Sequence, residues 1–120
     1  MQKILLVEDN FDNSTLVRLL LERNGFQVNA AENGAQGMLI AQKDKPNLIL
    51  LDLDMPVMDG WTFIREFKAD PDLREIPIVV VTAHLLPGER NLVIEAGCAG
   101  YVSKPFKVSD LLAEVRRCLL

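Results

Sequence analysis

The sequence has few cysteines, no excess of basic residues and no long hydrophobic run, and each shortage excludes a class of protein. Its 2 cysteines, Cys98 and Cys118, lack the spacing of metal ligands, so we expect free thiols in a reducing cytoplasm. Lysine and arginine number 13 against 17 acidic residues, which argues against nucleic acid as a direct partner. No apolar stretch reaches transmembrane length, and no secretory signal pattern precedes the first apolar run.

Apolar residues make up 49% of the 120 residues, which is enough for the core of a single domain. Five short apolar runs alternate with five stretches of helical periodicity. We interpret the runs as strands within residues 4–7, 26–31, 48–52, 78–82 and 101–102. The alternation predicts an α/β fold, with a five-stranded parallel sheet covered by helices on both faces. The second run has interleaved polar residues, which indicate an edge strand. Asn13, Ser14 and Thr15 are candidate caps for the first helix.

Asp52 follows the most continuous apolar run, residues 48–51. Pro46-Asn47 precedes this run and Met55-Pro56 follows it, so the pattern is typical of a strand buried on both faces. Asp52 would then lie at the carboxyl end of a central strand, which is the edge where open α/β sheets bind their ligands.

Polar side chains also follow three other predicted strands. Glu8 and Asp9 end the first, Thr82 ends the fourth, and Lys104 follows the fifth. In a parallel sheet these ends share one edge, so three carboxylates, a hydroxyl and an ammonium group should converge. Clustered carboxylates repel one another, and Mg²⁺ binds such oxygen ligands. Asp52 could then act as a nucleophile toward a phosphoryl group.

Taken in order, these residues resemble the response-regulator receiver domain of two-component signalling, and in particular the chemotaxis regulators of that family. The resemblance covers the whole chain. It is carried by Glu8-Asp9, Asp52, Met55-Pro56 with Asp59-Gly60, Thr82-Ala83 and Lys104-Pro105. It implies a doubly wound, flavodoxin-like receiver fold with strand order 2-1-3-4-5, and a cis peptide bond between Lys104 and Pro105.

The resemblance also implies roles for individual residues. Asp52 would accept the phosphoryl group, assisted by Thr82 and Lys104, and Thr82 and Tyr101 would form the switch pair. Mg²⁺ would be held by the side chains of Glu8, Asp9 and Asp52 and by the backbone carbonyl of Asp54. Asp54 and His84 would influence the lifetime of the phosphoryl group.

The function implied by the resemblance is a phosphorylation-dependent signalling switch that catalyses only its own phosphorylation and dephosphorylation. A histidine kinase or phosphotransfer protein would supply the phosphoryl group. The face made by the fourth helix, fifth strand and fifth helix would bind a downstream protein target. We expect a monomer or weak dimer in the cytoplasm, a receiver domain spanning residues 1–120 and no output domain. A stand-alone receiver and one cut from a hybrid kinase both fit.

Three other interpretations stay open at this point. Asp52-Leu53-Asp54 resembles the Asp-x-Asp motif of haloacid-dehalogenase-like phosphatases, although Met55-Pro56 follows where that family has a different pair. A flavodoxin-like binding module would use the same topology, but Glu8 and Asp9 would repel a flavin phosphate. Taken singly, Asp52 could be an ordinary turn residue and Lys104 a solvated surface charge.

Overall fold

The computed structural model describes residues 2–53, 60–83 and 88–119 and forms an α/β domain. The strands are β1 (Lys3–Val7), β2 (Gln27–Ala31), β3 (Leu48–Asp52), β4 (Ile78–Thr82) and β5 (Gly100–Ser103). The helices are α1 (Phe11–Arg23), α2 (Gly34–Asp44), α3 (Gly60–Ala69), α4 (Glu89–Glu95) and α5 (Val108–Leu119). All five predicted strands and the five helices between and after them are therefore confirmed.

The sheet has the order β2-β1-β3-β4-β5, and every neighbouring pair is parallel. This is the order that the family resemblance implies. β2 lies at one edge, as its polar interleaving predicts. β3 and β4 are buried along their whole length, which explains why their sequences are continuous apolar runs rather than alternating ones. The carboxyl ends of the five strands consequently share one edge of the sheet.

The core consists of two layers, one on each face of the sheet. Successive strand residues point to opposite faces, so Leu5 and Ile49 belong to one layer, and Ile4 and Leu50 belong to the other. α2, α3 and α4 cover the first layer, while α1 and α5 cover the second. Because side chains of the same central strands pack into both layers, helices on both faces of the sheet hold the ends of these strands in position.

The first helix begins earlier than the sequence predicts. Asn10 is its N-cap, and the Asn10 side chain accepts a hydrogen bond from the backbone N–H of Asn13 at 2.9 Å. The prediction that Asn13, Ser14 or Thr15 caps the helix was therefore wrong. All four residues are good capping types, and local propensity alone cannot choose among them. Placing Asn13 inside the first turn frees its side chain to face the strand end at Glu8.

Gly60, the first residue of α3, packs directly on the backbone that follows β3. A Cβ at this position would lie 2.5 Å from Leu53 Cα and 2.8 Å from Leu53 O, so only glycine fits without displacement. The Gly60 N–H donates to Leu53 O at 2.9 Å. This close contact fixes the chain immediately after Asp52.

Cys98 and Cys118 are both free, as predicted from their spacing. Among the three ranges that the structure describes, no helix combines the length and apolar character needed to cross a membrane. The Lys104–Pro105 peptide bond is cis, as the family resemblance implies.

Candidate functional site

Three carboxylates meet at the carboxyl edge of the sheet. Glu8 and Asp9 follow β1, and Asp52 is the last residue of β3. Each offers an oxygen that lies within 4.8 Å of the others, which is close enough for one cation to bind all three. Glu8 and Asp52 are buried, whereas Asp9 is exposed. The predicted convergence of the acidic residues is therefore found in the folded chain.

Lys104 brings a positive charge to the same carboxylates. Its Nζ lies 3.4 Å from Asp52 Oδ2 and 3.8 Å from Glu8 Oε2. The Lys104 backbone N–H donates to the Thr82 carbonyl at 2.8 Å, so the β4 and β5 ends are joined just where Lys104 projects. Together these contacts hold the ammonium group over the acid cluster.

The electrostatics of the site are unfavourable for its negative charges. Burial, followed by the hydrogen bond to Asp52 and the charge of Asp52, raises the pKa of Glu8 to about 8, against the smaller opposing effects of Lys104 and Asn13. Asn13 Nδ2 donates to Glu8 Oε1 at 3.4 Å. Lys104 therefore offsets only part of the repulsion. A hard divalent cation that prefers carboxylate oxygens would relieve the rest, and the donor set fits Mg²⁺.

Thr82, the last residue of β4, is completely buried and pairs with Ser103 in the neighbouring strand β5. Asp52 pairs with Val81 across the β3–β4 ladder, so Thr82 lies one residue further toward the same edge. The predicted hydroxyl is therefore at the strand end next to that of Asp52.

Tyr101 lies in β5, three residues before Lys104, and its side chain is partly buried. Its backbone N–H donates to Glu114 Oε2 at 3.0 Å, and its hydroxyl donates to Glu89 Oε1 at 3.4 Å. The backbone of Tyr101 is thus tied to α5 and its hydroxyl to α4. Tyr101 therefore links β5 to both helices, through its backbone to α5 and through its hydroxyl to α4.

A cavity of about 420 Å³ adjoins the carboxylates. Its polar end includes Glu8, Asp52 and Lys104, and its remaining wall is mostly apolar. The apolar wall is formed by Leu6, Leu16, Val17, Leu50, Leu51, Val81, Ala83, Pro105, Phe106 and Leu111. The cavity therefore extends from the carboxylates along α1 and the β5–α5 connection.

Several predicted site residues lie outside the described residues. They are Asp54, with its backbone carbonyl, and His84, together with Met55, Pro56 and Asp59 of the motif after β3. Their roles stay predictions.

The sequence pattern did not indicate the roles of three residues that contact the acid cluster or Tyr101. Asn13 was interpreted as a helix cap but donates to Glu8. Glu89 and Glu114 had no assigned role, yet they bind the hydroxyl and the backbone of Tyr101. The only signal for Glu89 is its place after Gly88 in the first turn of a helix, which is also where exposed acidic residues are common.

The chain is similar to known proteins along nearly its whole length. The sequence model of the response regulator receiver domain family matches residues 4–116 of this chain. Among curated proteins, the polar-differentiation response regulator DivK of Brucella anthropi is 32% identical over 118 residues, which cover 98% of this chain and 96% of that protein.

Three solved structures share the fold closely. The receiver domain of a signal transduction histidine kinase from Syntrophus aciditrophicus has a TM-score of 0.91 at 33% identity, covering 99% of this chain and 90% of that one. The chemotaxis response regulator CheY4 of Vibrio cholerae has a TM-score of 0.92 at 29% identity, covering 99% of both chains. The third is the receiver domain of a sensor histidine kinase from Pseudomonas aeruginosa, which has a magnesium ion coordinated in its active-site cleft. Its TM-score is 0.90 at 36% identity, and the match covers 98% of this chain and 97% of that one.

Proposed function

We propose, from the premise that this chain belongs to the response regulator receiver domain family, that Asp52 is the phosphoryl acceptor of a two-component signalling switch. Phosphorylation-dependent signalling in two-component systems is the function of the family, whose members are switches rather than conventional enzymes. One observation carries the assignment to Asp52. Its buried carboxylate lies at the end of a central strand, 3.4 Å from the Lys104 ammonium and beside two further acids.

The proposed reaction transfers a phosphoryl group from a phosphohistidine to Asp52. An Asp52 carboxylate oxygen forms a bond to phosphorus, while the bond between phosphorus and the imidazole nitrogen of the donor breaks. The electron pair of that broken bond stays on the imidazole nitrogen. Lys104 would bind a phosphoryl oxygen, and the Thr82 hydroxyl would donate a hydrogen bond to another. Catalysis by this chain would be limited to its own phosphorylation and dephosphorylation.

The side chains of Glu8, Asp9 and Asp52 would hold Mg²⁺, and the backbone carbonyl of Asp54 would complete the protein ligands. The bound ion would supply positive charge to the phosphoryl oxygens. Two observations support this proposal. The carboxylates form a compact oxygen donor set, and burial, together with the hydrogen bond to Asp52 and the charge of Asp52, raises the pKa of Glu8 to about 8. The receiver domain from Pseudomonas aeruginosa carries magnesium in its cleft.

The switch proposed from the family resemblance couples Asp52 to the face made by α4, β5 and α5. Thr82 would move toward the phosphoryl group, and Tyr101 would then move inward. The changed face would bind a downstream protein target with altered affinity, a coupling of about 1–3 kcal/mol in typical systems. A histidine kinase or phosphotransfer protein would be the donor. A cytoplasmic location, a monomeric or weakly dimeric state and the lifetime roles of Asp54 and His84 belong to the same proposal.

The phosphatase alternative is not favoured. The family match extends over residues 4–116 and includes β5 with Lys104, whereas the phosphatase interpretation depended on Asp52-Leu53-Asp54 alone. A receiver would gain one phosphoryl group per chain, while a phosphatase would release many from a phosphomonoester.

Incubation with Mg²⁺ and acetyl phosphate tests the proposal. Intact-protein mass spectrometry should detect one added phosphoryl group on the wild type and none on Asp52→Asn. Asp72→Asn is the matched control, because Asp72 is an exposed aspartate outside the site and should leave phosphorylation unchanged. Equal incorporation by the wild type and Asp52→Asn would show that Asp52 is not the acceptor.

A further inference from the structure

Glu89 is a buried carboxylate outside the acid cluster. It lies in the first turn of α4 and is only 6% exposed. Burying a charged group without a partner is costly, so a buried glutamate is normally held by hydrogen bonds. One such contact is the 3.4 Å hydrogen bond from the Tyr101 hydroxyl to Glu89 Oε1. The position of Glu89 thus depends in part on the orientation of the Tyr101 ring.

The Tyr101 hydroxyl lies between two polar neighbours. Glu89 as a carboxylate can only accept a hydrogen bond, whereas a phenol can donate one and accept another. Burial and the negative charge and hydrogen bond of Glu89 raise the pKa of Tyr101, whereas a hydrogen bond to Ser103 and the nearby charge of Arg90 lower it. The ring is therefore held at its hydroxyl end by a group on α4.

The backbone of Tyr101 is fixed independently of its ring. Tyr101 pairs with Val80 in the β4–β5 ladder, and its N–H donates to Glu114 on α5. Reorientation of this residue therefore has to come from its side chain. A change of the Tyr101 side-chain rotamer would displace the hydroxyl and so break its contact with Glu89.

We propose that Glu89 is a positioning residue that holds the Tyr101 hydroxyl in the resting orientation and so opposes the switch. The inference rests on the proposed function, in which phosphorylation of Asp52 brings Tyr101 inward. The free energy needed to break the Glu89 contact then contributes to the free-energy difference between the resting and the phosphorylated state. A weaker contact raises the fraction of molecules that are already competent, and the apparent affinity for a phosphoryl group rises with that fraction.

The contact itself can be tested without any phosphoryl chemistry. Tyr101 is the only tyrosine in the sequence, so an ultraviolet absorbance titration of the tyrosinate reports on this residue alone. Glu89→Gln keeps the shape of the side chain and removes its charge. We expect the pKa of Tyr101 to fall in Glu89→Gln and to stay unchanged in Glu95→Gln, which alters an exposed glutamate of the same helix.

The effect on the switch can be tested with Mg²⁺ and beryllofluoride, a stable analogue of the phosphoryl group. Calorimetric titration should show binding about two- to tenfold tighter in Glu89→Gln than in the wild type, the factor expected for one weakened hydrogen bond. In the Tyr101→Phe background the hydroxyl is absent, so Glu89→Gln should change the affinity no further. Glu95→Gln should bind as the wild type does. If Glu89→Gln does not fold, as judged by circular dichroism, Tyr101→Phe alone should tighten binding by the same factor.

The outcomes separate this inference from the proposed function. An unchanged Tyr101 pKa, weaker or unchanged beryllofluoride binding in Glu89→Gln, or the same change in both Tyr101 backgrounds would overturn the positioning role. Those results would leave Asp52 as the acceptor, provided that Asp52→Asn abolishes beryllofluoride binding. If Asp52→Asn binds as tightly as the wild type, or if the wild type does not bind, the proposed function fails and the role of Glu89 fails with it.

Discussion

Lys104 Nζ lies 3.4 Å from Asp52 Oδ2, although 52 residues separate them in the sequence. The same ammonium group is 3.8 Å from Glu8 Oε2. One lysine therefore faces two buried carboxylates that come from different strands. The Lys104 side chain is partly exposed, so the phosphoryl group proposed to form on Asp52 would have access to its ammonium group.

Removal of the Lys104 charge should slow phosphorylation more than it affects folding. Lys104→Met keeps much of the apolar stem but cannot stabilise the charge that develops on the phosphoryl oxygens. We expect the rate of phosphorylation by acetyl phosphate to fall about 100-fold or more, as for other preorganised charge contacts. Lys107→Met is the control, because Lys107 is exposed and near in sequence. Equal rates in the two variants would exclude a role for Lys104.

Mg²⁺ should stabilise the folded chain by relieving repulsion among Glu8, Asp9 and Asp52. At 100 times its dissociation constant, a ligand that binds only the folded state raises the free energy of unfolding by about 2.7 kcal/mol. Urea unfolding with Mg²⁺ or with a chelator measures this difference.

Glu8→Gln should remove most of that response to Mg²⁺. It should cost less than about 1 kcal/mol in chelator, because an uncharged amide of the same shape does not repel Asp52. Glu66→Gln, on the exposed side of α3, should respond to Mg²⁺ as the wild type does. A full Mg²⁺ response in Glu8→Gln would mean that Glu8 is not a ligand.

Gly60→Ala should reduce both stability and Mg²⁺ affinity. The new Cβ would lie 2.5 Å from Leu53 Cα, and displacing backbone in a packed region costs about 1–3 kcal/mol. Because Leu53 directly follows Asp52, the displacement should also move the Asp52 carboxylate. Gly25→Ala is the comparison, since its Cβ would meet nothing within 4 Å and only its φ of 90° is strained. Gly25→Ala should cost about 1–2 kcal/mol and leave Mg²⁺ affinity unchanged.

Glu114 should contribute stability that depends on pH. Its carboxylate accepts hydrogen bonds from Arg117 Nε and from the Tyr101 backbone, and these bonds, Arg117 first, lower the pKa of Glu114 below 4.5 despite its partial burial. A depressed pKa in the folded state means stability that is present above pH 4.5 and is lost as the pH falls through the folded value.

Glu114→Gln should therefore reduce the free energy of unfolding at neutral pH by about 1 kcal/mol. The difference from the wild type should shrink as the pH falls below 4.5, as followed by thermal unfolding across that range. A difference that is constant with pH would mean that the carboxylate charge contributes nothing.

Most of the fold could be predicted from the sequence because its strands are short and distinct. The runs at residues 48–51 and 78–81 are apolar throughout, which only strands buried on both faces require, and both are fully buried. The convergence of Glu8, Asp52 and Lys104 followed from parallel topology, since their strands end at one edge. Strand order came from the family resemblance and not from the residues alone.

The remaining contacts depend on side-chain packing that no local pattern encodes. Asn10, Asn13, Ser14 and Thr15 are all suitable caps, and only the position of β1 relative to α1 makes Asn10 the cap. Glu89 looks in the sequence like an ordinary acidic residue in the first turn of a helix, but it is buried and accepts a hydrogen bond from Tyr101 on the neighbouring strand. Such contacts become visible only when distant segments are placed together.

The ion pair between Lys104 and Glu8 has a consequence for chains that are still being synthesised. Glu8, at the end of β1, is synthesised early. Lys104, whose ammonium group lies near Glu8 in the folded chain, is added only after β5. Until then the two buried acids lack the cation that they face in the finished domain. The complete cluster of acids and ammonium group therefore forms only in chains whose synthesis has passed β5.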